Sequence, residues 1–187
     1  NCHPEFDSRS AQFIAGMPDN PVNNEGRIGR VDIGKTSILG IYFPNGGKSE
    51  QAWEDKLVFY DKFLDYVNDL RNQGQTVIWC GDINCAHNPI DLARPKDNDG
   101  KIGFHPRERA WLDTVIDNQW VDVWRKTNPD MVDVYSWWHM ITRSRLTNVG
   151  WRIDYFFVDQ ETFPNIKNIQ YLTDQMGSDH CPVLLEV

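Results

Sequence analysis

From Gly26 onward the apolar and polar positions fall into regular periods. Arg27 to Ile33 and Ser37 to Phe43 are short runs of strand character with Gly34-Lys35 between them, which predicts two strands joined as a hairpin. Ser49 then opens a long helix, in which Trp53, Leu57, Tyr60, Leu64 and Val67 recur at helical steps along one face. Ser49 is its expected N-cap and Gly74 its stop. Thr76 to Cys80 is apolar and β-branched, a buried strand. Asp97-Asn98-Asp99-Gly100 reads as a loop. Pro106 starts a second helix, with Trp111, Leu112, Val115 and Ile116 facing inward. Trp151 to Val158 and Pro182 to Val187 complete the strand set. Asn1 to Asn24 carries Pro4, Pro18 and Pro21 with no sustained period and reads as irregular. The division is therefore an irregular segment over 1–25 and a domain over 26–187. A strand–helix–strand unit followed by more strands argues for an α/β or layered α+β fold.

Composition narrows the function classes. With 187 residues, 40% hydrophobic and 25% charged, the chain has enough apolar material for one full core, which excludes disordered, collagen-like and coiled-coil classes. Its net charge of −8 means that any surface for a polyanion must be a local basic one. No apolar window approaches the roughly 18 residues of a membrane span, and no basic-then-apolar leader opens the chain, so a soluble protein is expected. The four cysteines, Cys2, Cys80, Cys85 and Cys181, form no CxxC pair. A core of this size does not need disulfides, which points to a reduced compartment: cytoplasmic, or nuclear in a eukaryote. Most of the eight Trp belong in the core, but one exposed in a cleft would suit stacking on a base or sugar.

Four clusters carry candidate chemistry. In Trp79-Cys80-Gly81-Asp82-Ile83-Asn84 an apolar strand ends in glycine and sets a carboxylate and an amide on the same side, suited to a hard cation or a phosphate oxygen. A turn in which both bond their own backbone is the alternative. Gly177-Ser178-Asp179-His180-Cys181-Pro182 offers a metal ligand beside an imidazole, or simply a polar turn before the last strand. In Gly150-Trp151-Arg152-Ile153-Asp154-Tyr155-Phe156 a carboxylate interrupts an apolar strand and must have a partner. Arg152 faces the other way, so a distant histidine is the better choice, with a structural salt bridge as the competitor. Finally, Ser136 to Ile153 holds Arg143, Arg145 and Arg152 with Trp137, Trp138 and Trp151 and no acidic residue. That composition suits phosphate contacts and nucleic-acid binding, although its arginines could equally pair with surplus carboxylates.

In series, Gly-Asp-Ile-Asn at 81–84, Arg-Ile-Asp at 152–154 and Gly-Ser-Asp-His-Cys-Pro at 177–182 resemble the motifs of the exonuclease III family of apurinic/apyrimidinic (AP) endonucleases, within the endonuclease/exonuclease/phosphatase superfamily. Ile41-Tyr42-Phe43-Pro44-Asn45-Gly46 and Ile90 to Lys96 fit two further segments. The resemblance implies a four-layer α/β sandwich of the deoxyribonuclease-I-like type, two mixed β-sheets flanked by helices. It also implies Mg²⁺-dependent hydrolysis of DNA 5′ to an abasic site, with Mn²⁺ as substitute and with 3′–5′ exonuclease or 3′-phosphodiesterase activity alongside. On that resemblance Asp82 activates water, Asn84 and Tyr42 hold the phosphate, and His180, oriented by Asp154, stabilises developing charge. Asp82, Asn84 and Asp179 hold the metal. Trp137, Trp151 and Ile153 form an apolar pocket for an extruded abasic sugar, and Arg143, Arg145 and Arg152 grip the duplex.

The family's amino-terminal Asn and metal-binding Glu motifs have no counterpart before Gly26. The chain thus reads as the carboxyl-terminal two-thirds of such an enzyme, a monomer or dependent on that missing segment, and by itself impaired. Two other readings stand: a phosphatase or phosphodiesterase of the same superfamily acting on a non-DNA phosphoester, and a non-catalytic DNA-binding fragment.

Overall fold

The computed structural model describes residues 11–20 and 25–187. In chain order the elements are β1 (Gln12–Ala15), β2 (Ile28–Ile33), β3 (Thr36–Tyr42), α1 (Glu50–Asn72), β4 (Thr76–Asp82), α2 (Pro95–Asn98), α3 (Pro106–Asp117), β5 (Trp120–Asp122), α4 (Val123–Thr127), β6 (Trp137–Trp138), β7 (Gly150–Trp151), β8 (Asp154–Asp159), β9 (Asn168–Tyr171) and β10 (Val183–Glu186). A six-stranded sheet in the order β1-β2-β3-β4-β8-β5 is the backbone of the molecule. β3 and β4 are parallel, joined by the α1 crossover, and the other pairs are antiparallel. Where a second mixed sheet is expected, the described residues form two separate antiparallel pairs, β9–β10 and β6–β7.

Local sequence explains the best-defined pieces. The hairpin turns at Gly34, whose φ of 60° suits glycine. Ser49 caps α1 by accepting the Ala52 N–H, and the chain leaves the helix through Gly74 at φ 83°. α1 and α3 cover one face of the sheet, where Leu39, Val77, Trp79, Tyr155 and Phe157 meet Phe59, Tyr60, Phe63, Val67, Trp111 and Val115. Tyr60 stacks on Trp111 between the helices, and Trp79 on its cross-strand partner Phe157, both with ring centroids 4.2 Å apart. On the other face Ile78, Val121 and Val158 pack with Trp124 of α4 and with Ile169 and Tyr171 of β9. Among the described residues nothing covers that second face over β1–β3, where Phe13 and Ile38 are exposed and Val31 between them is half-buried.

Several expectations are corrected. The segment expected to be irregular contains β1, paired along the edge of β2; residues 1–10 and 21–24 of it lie outside the described residues. The strand expected over Trp151–Val158 is two, because at Arg152 the backbone N–H turns away to the Asp91 carbonyl (2.7 Å). On α1 Tyr60, Leu64 and Val67 are buried as expected, but Trp53 and Leu57 are only half-buried, and Lys56, Phe59, Phe63 and Leu70 complete the buried face. Ile116 is exposed. Cys80, Cys85 and Cys181 are free thiols, and Cys2 lies outside the described residues. Among the described residues no helix is long and apolar enough to cross a membrane.

Candidate active site

Sheet register assembles the centre of the site. Tyr42 pairs with Asp82 across β3–β4, and Asp82 with Asp154 across β4–β8, so the three stand in one row at one end of the sheet. Direct cross-strand partners project on the same face. Gly81 makes the row possible. It has φ 146°, and a Cβ there would lie 1.8 Å from the Ile41 carbonyl oxygen, so the glycine serves close approach of β3 rather than of a ligand. Beyond the strand, Asn84 adopts φ 56° and its N–H donates to Asp82 Oδ1 (2.7 Å). Its side-chain Nδ2 donates to the Phe43 carbonyl (2.9 Å), and its Oδ1 accepts from Asn45 Nδ2 (3.1 Å). The turn that bonds its own backbone and the turn that presents an amide are thus the same turn.

The last motif arrives from the opposite side. His180 Nδ1 lies 2.9 Å from Asp154 Oδ2, which supplies the partner that the carboxylate in β8 requires. Trp137 pairs with His180 as an isolated bridge, and Trp138 N–H donates to the Asp179 carbonyl (2.9 Å). Trp137 Nε1 donates to Asp179 Oδ2 (3.1 Å). Ser136, fully buried, receives the Ile153 and Asp154 N–H groups on its Oγ (both 3.0 Å) and so ties this loop to the start of β8.

These groups surround a cavity of about 330 Å³ lined by Tyr42, Asn45, Asp82, Asn84, Ile102, Gly103, Trp137, Trp151, Ile153, Asp179 and His180. One wall is amide and carboxylate, the other is Trp137, Trp151 and Ile153. A larger cleft of about 660 Å³ at the far end of the sheet, beside Arg71, Gln119, Gln160 and Asn165, contains none of the motif residues. Asn45, Ile102 and Gly103 had no role assigned from sequence. Asn45 was legible, being inside the Tyr-Phe-Pro-Asn-Gly run; Ile102 and Gly103 carried no signal.

The electrostatics of the site are uneven. Burial, then the adjacent Asp154 carboxylate, push the Asp82 carboxyl up to about 7, against the pull of the Asn84 N–H, His180 and Lys56. Burial opposes charging of His180, but the hydrogen bond and charge of Asp154 outweigh it and raise the imidazole above its ordinary value. Asp179 is held below the usual carboxylate range. Slight burial works against this, but the Trp137 indole and other hydrogen bonds, with His180, prevail.

Among the described residues no three His, Cys, Asp or Glu side chains gather closely enough to hold a metal by themselves. The donor type nevertheless suits a hard cation: carboxylates and an amide oxygen, with an Asp82 carboxyl that ionises reluctantly beside Asp154. A cation here would relieve that repulsion, and Asp82, Asn84 and Asp179 are the residues that would hold it.

The basic loop departs from expectation. Arg152 is fully buried, with Nε on Asp91 Oδ1 (2.8 Å) and Nη2 on Asp122 Oδ2 (2.7 Å), so no phosphate can reach it. Arg145 spends its guanidinium on the carbonyls of Thr173, Gln175 and Ser178 and stacks 4.5 Å from Trp138. Only Arg143 of the three is exposed. Five of the eight tryptophans, Trp79, Trp111, Trp120, Trp124 and Trp138, are buried in the core, while Trp137 and Trp151 face the cavity.

Fold and site together define the class: an α/β sandwich that gathers acidic, amide and imidazole groups at its strand ends, as hydrolases of phosphoesters do. Residues 10–180 match the Endonuclease/Exonuclease/phosphatase family, and the chain belongs to it. It is 35% identical over 174 residues to an exodeoxyribonuclease of Bacillus subtilis, covering 93% of this chain and 69% of the relative. It is 37% identical over 164 residues to a DNA-(apurinic or apyrimidinic site) endonuclease of Dictyostelium discoideum, covering 86% of this chain and 45% of that protein. In fold it is similar to a 3′–5′ exonuclease from Neisseria meningitidis, with a TM-score of 0.86 at 22% identity over 94% of this chain and 70% of the other.

Proposed function

We propose that the chain carries the catalytic centre of a DNA-repair nuclease that hydrolyses the phosphodiester 5′ to an abasic site. The observation behind this reading is that Tyr42, Asp82, Asn84, Asp179 and His180 line the same cavity as Trp137, Trp151 and Ile153. Phosphate chemistry and an apolar recess thus share one opening. An abasic sugar has no base to unstack, and a recess walled by indoles admits it while excluding a full nucleotide.

The geometry is compatible with the roles that the family resemblance implies. Asp82 accepts the proton of the attacking water from its position on the cavity wall at the end of β4. His180 uses Nδ1 on Asp154, which leaves Nε2–H to donate to a non-bridging phosphate oxygen, its positive charge sustained by the Asp154 carboxylate. The Tyr42 hydroxyl and the second N–H of the Asn84 amide are further donors on this wall. Mg²⁺, or Mn²⁺ in its place, would supply charge neutralisation and polarisation of the phosphoryl group when bound. Trp137 and Trp151 hold the sugar, and Arg143 is the exposed loop cation available to the flanking backbone.

The test is incision of an abasic duplex in Mg²⁺, measured against an intact duplex and a phosphoinositide. Incision at the abasic site that is lost in His180→Ala supports the reading. Preference for the phosphoinositide, or cleavage indifferent to His180, refutes it. The non-catalytic binding alternative loses ground because two of its three arginines are committed to the protein's own carboxylates and carbonyls.

A further inference from the structure

Behind the cavity lies a pair of opposite charges with no exposure at all: Lys56 of α1 and Glu108 of α3. The Lys56 ammonium has three protons and three acceptors. It donates to the carbonyl of Asn45 (3.1 Å), to the carbonyl of Asn84 (3.0 Å) and to Glu108 Oε1. The second carboxylate oxygen of Glu108 receives the N–H groups of Gly103 (2.7 Å) and His105 (3.1 Å). Three separate loops therefore end on one ion pair, and each contributes a residue to the cavity lining: Asn45, Asn84 and Gly103.

Two of these points lie in the left-handed half of backbone space, which asparagine and glycine enter more readily than other residues. Asn84 has φ 56°, unusual for a residue with a side chain, and Gly103 has φ 91°. A Cβ on Gly46 would lie 2.9 Å from Lys56 Cδ, so the Asn45–Gly46 turn is moulded directly on the lysine stem. The inward carbonyls and the outward amides are two ends of one arrangement. With its carbonyl drawn to Lys56, Asn84 directs its side chain toward Asn45 and Phe43 on the site wall.

Resting on the phosphodiester-cleavage reading above, we propose that Lys56, with Glu108, is a positioning residue that fixes the Asn45, Asn84 and Gly103 walls of the cavity without touching substrate. A buried ion pair is weak evidence of stabilisation, since an apolar pair of similar volume often serves as well. Its particular contribution here is direction: a methionine would fill the space but could not orient two carbonyls.

The double variant Lys56→Met/Glu108→Leu, which avoids an unpaired buried charge, separates positioning from folding, with Lys56→Arg as the conservative control. The readouts are the side-chain amide signals of Asn45 and Asn84 and the exchange rate of the Gly103 N–H by NMR, together with kcat and KM on abasic duplex. The expected result is a cooperatively folded double variant with unmoved signals for Val158 and Ile169. Its Asn45 and Asn84 amide signals shift and its Gly103 exchange is faster. Its kcat falls on the order of 10- to 100-fold with KM within about twofold, as small misplacements of reacting groups do, and Lys56→Arg recovers part of it. Unchanged amide signals and kcat overturn the proposal. So does a loss of kcat accompanied by global shifts that include Val158 and Ile169, which would make the pair only structural. If the unmodified chain does not incise DNA, kcat drops out of the comparison, and the amide and exchange signals alone decide the positioning claim.

Discussion

Arg152→Ala separates a structural cation from a DNA contact. The guanidinium is fully buried and makes three hydrogen bonds to carboxylates, one to Asp91 and two to Asp122. Its removal leaves Asp91 with Arg125 (2.6 Å) and the Asn88 backbone N–H (2.9 Å), and Asp122 with the Arg125 backbone N–H (3.1 Å). Breaking a buried pair from one side costs about 3–5 kcal/mol, and the surviving partners place this case near about 3. At roughly 2–4 °C per kcal/mol for a chain of this size, Tm falls by about 6–12 °C. The pH dependence has a definite sign. Burial opposes ionisation of Asp91, but Arg152 and Arg125 overcome it and hold its carboxyl at about 2, below the ordinary 3.8. Its contribution is complete above about 3.8 and is lost as pH falls towards 2. In the variant this acid limb moves to higher pH. Urea unfolding at neutral and acid pH measures both effects, and duplex binding against salt concentration supplies the control. A stability loss below about 1 kcal/mol, with a salt slope shallower by about one phosphate contact, would refute the burial argument and return Arg152 to the DNA surface.

Asp154→Asn removes the carboxylate that raises His180 most, leaving only the charges of Asp82 and Asp179 against burial. The imidazole should then titrate lower than in the parent in a ¹H NMR titration, and an unmoved curve would break the pairing. Because the folded-state value is raised, the stability this pair adds is full below about 6.5 and disappears as pH rises through the folded value, so the variant differs most from the parent at acid pH. Gly81→Ala brings a methyl to within 1.8 Å of a neighbouring strand carbonyl and should cost about 3 kcal/mol or more in urea unfolding; a fold of undiminished stability would contradict the close approach of β3 and β4. Trp137→Phe preserves an aromatic wall but loses the indole donor, so the Asp179 carboxyl should titrate at higher pH by ¹³C NMR; identical titration would mean that the indole does not hold it.

What was legible in the sequence was what is local. The Gly34 hairpin, the Ser49 cap and the Pro106 helix start are decided by neighbours within a few residues, and they lie where the pattern puts them. The need for a partner at Asp154 was legible too, because a carboxylate in an apolar strand is costly alone. Its finding His180 at 2.9 Å is the physical answer. The remainder is long-range. Arg152 looks cationic and available until Asp91 and Asp122 fold against it, from 61 and 30 residues away. Lys56 looks like a solvated helix position until Glu108 arrives from another helix. The four residues of β1 are too few for a visible alternation, and their strand character comes from the β2 edge that they join.

The row Tyr42–Asp82–Asp154 divides labour within the molecule. Its spacing is that of neighbouring strands, roughly 4.7–4.9 Å, a length set by peptide hydrogen bonding and beyond the reach of any loop to stretch. The segments bearing Ile102–Gly103 and Trp137 lie outside the six-stranded sheet, held to it by loop and side-chain hydrogen bonds such as those of Ser136, and their content can change around it. A ruler of constant pitch thus measures the reacting group, while exchangeable jaws select what is brought to it. In such an architecture new substrates are reached by rebuilding the jaws, and the gauge passes unaltered from one chemistry to the next.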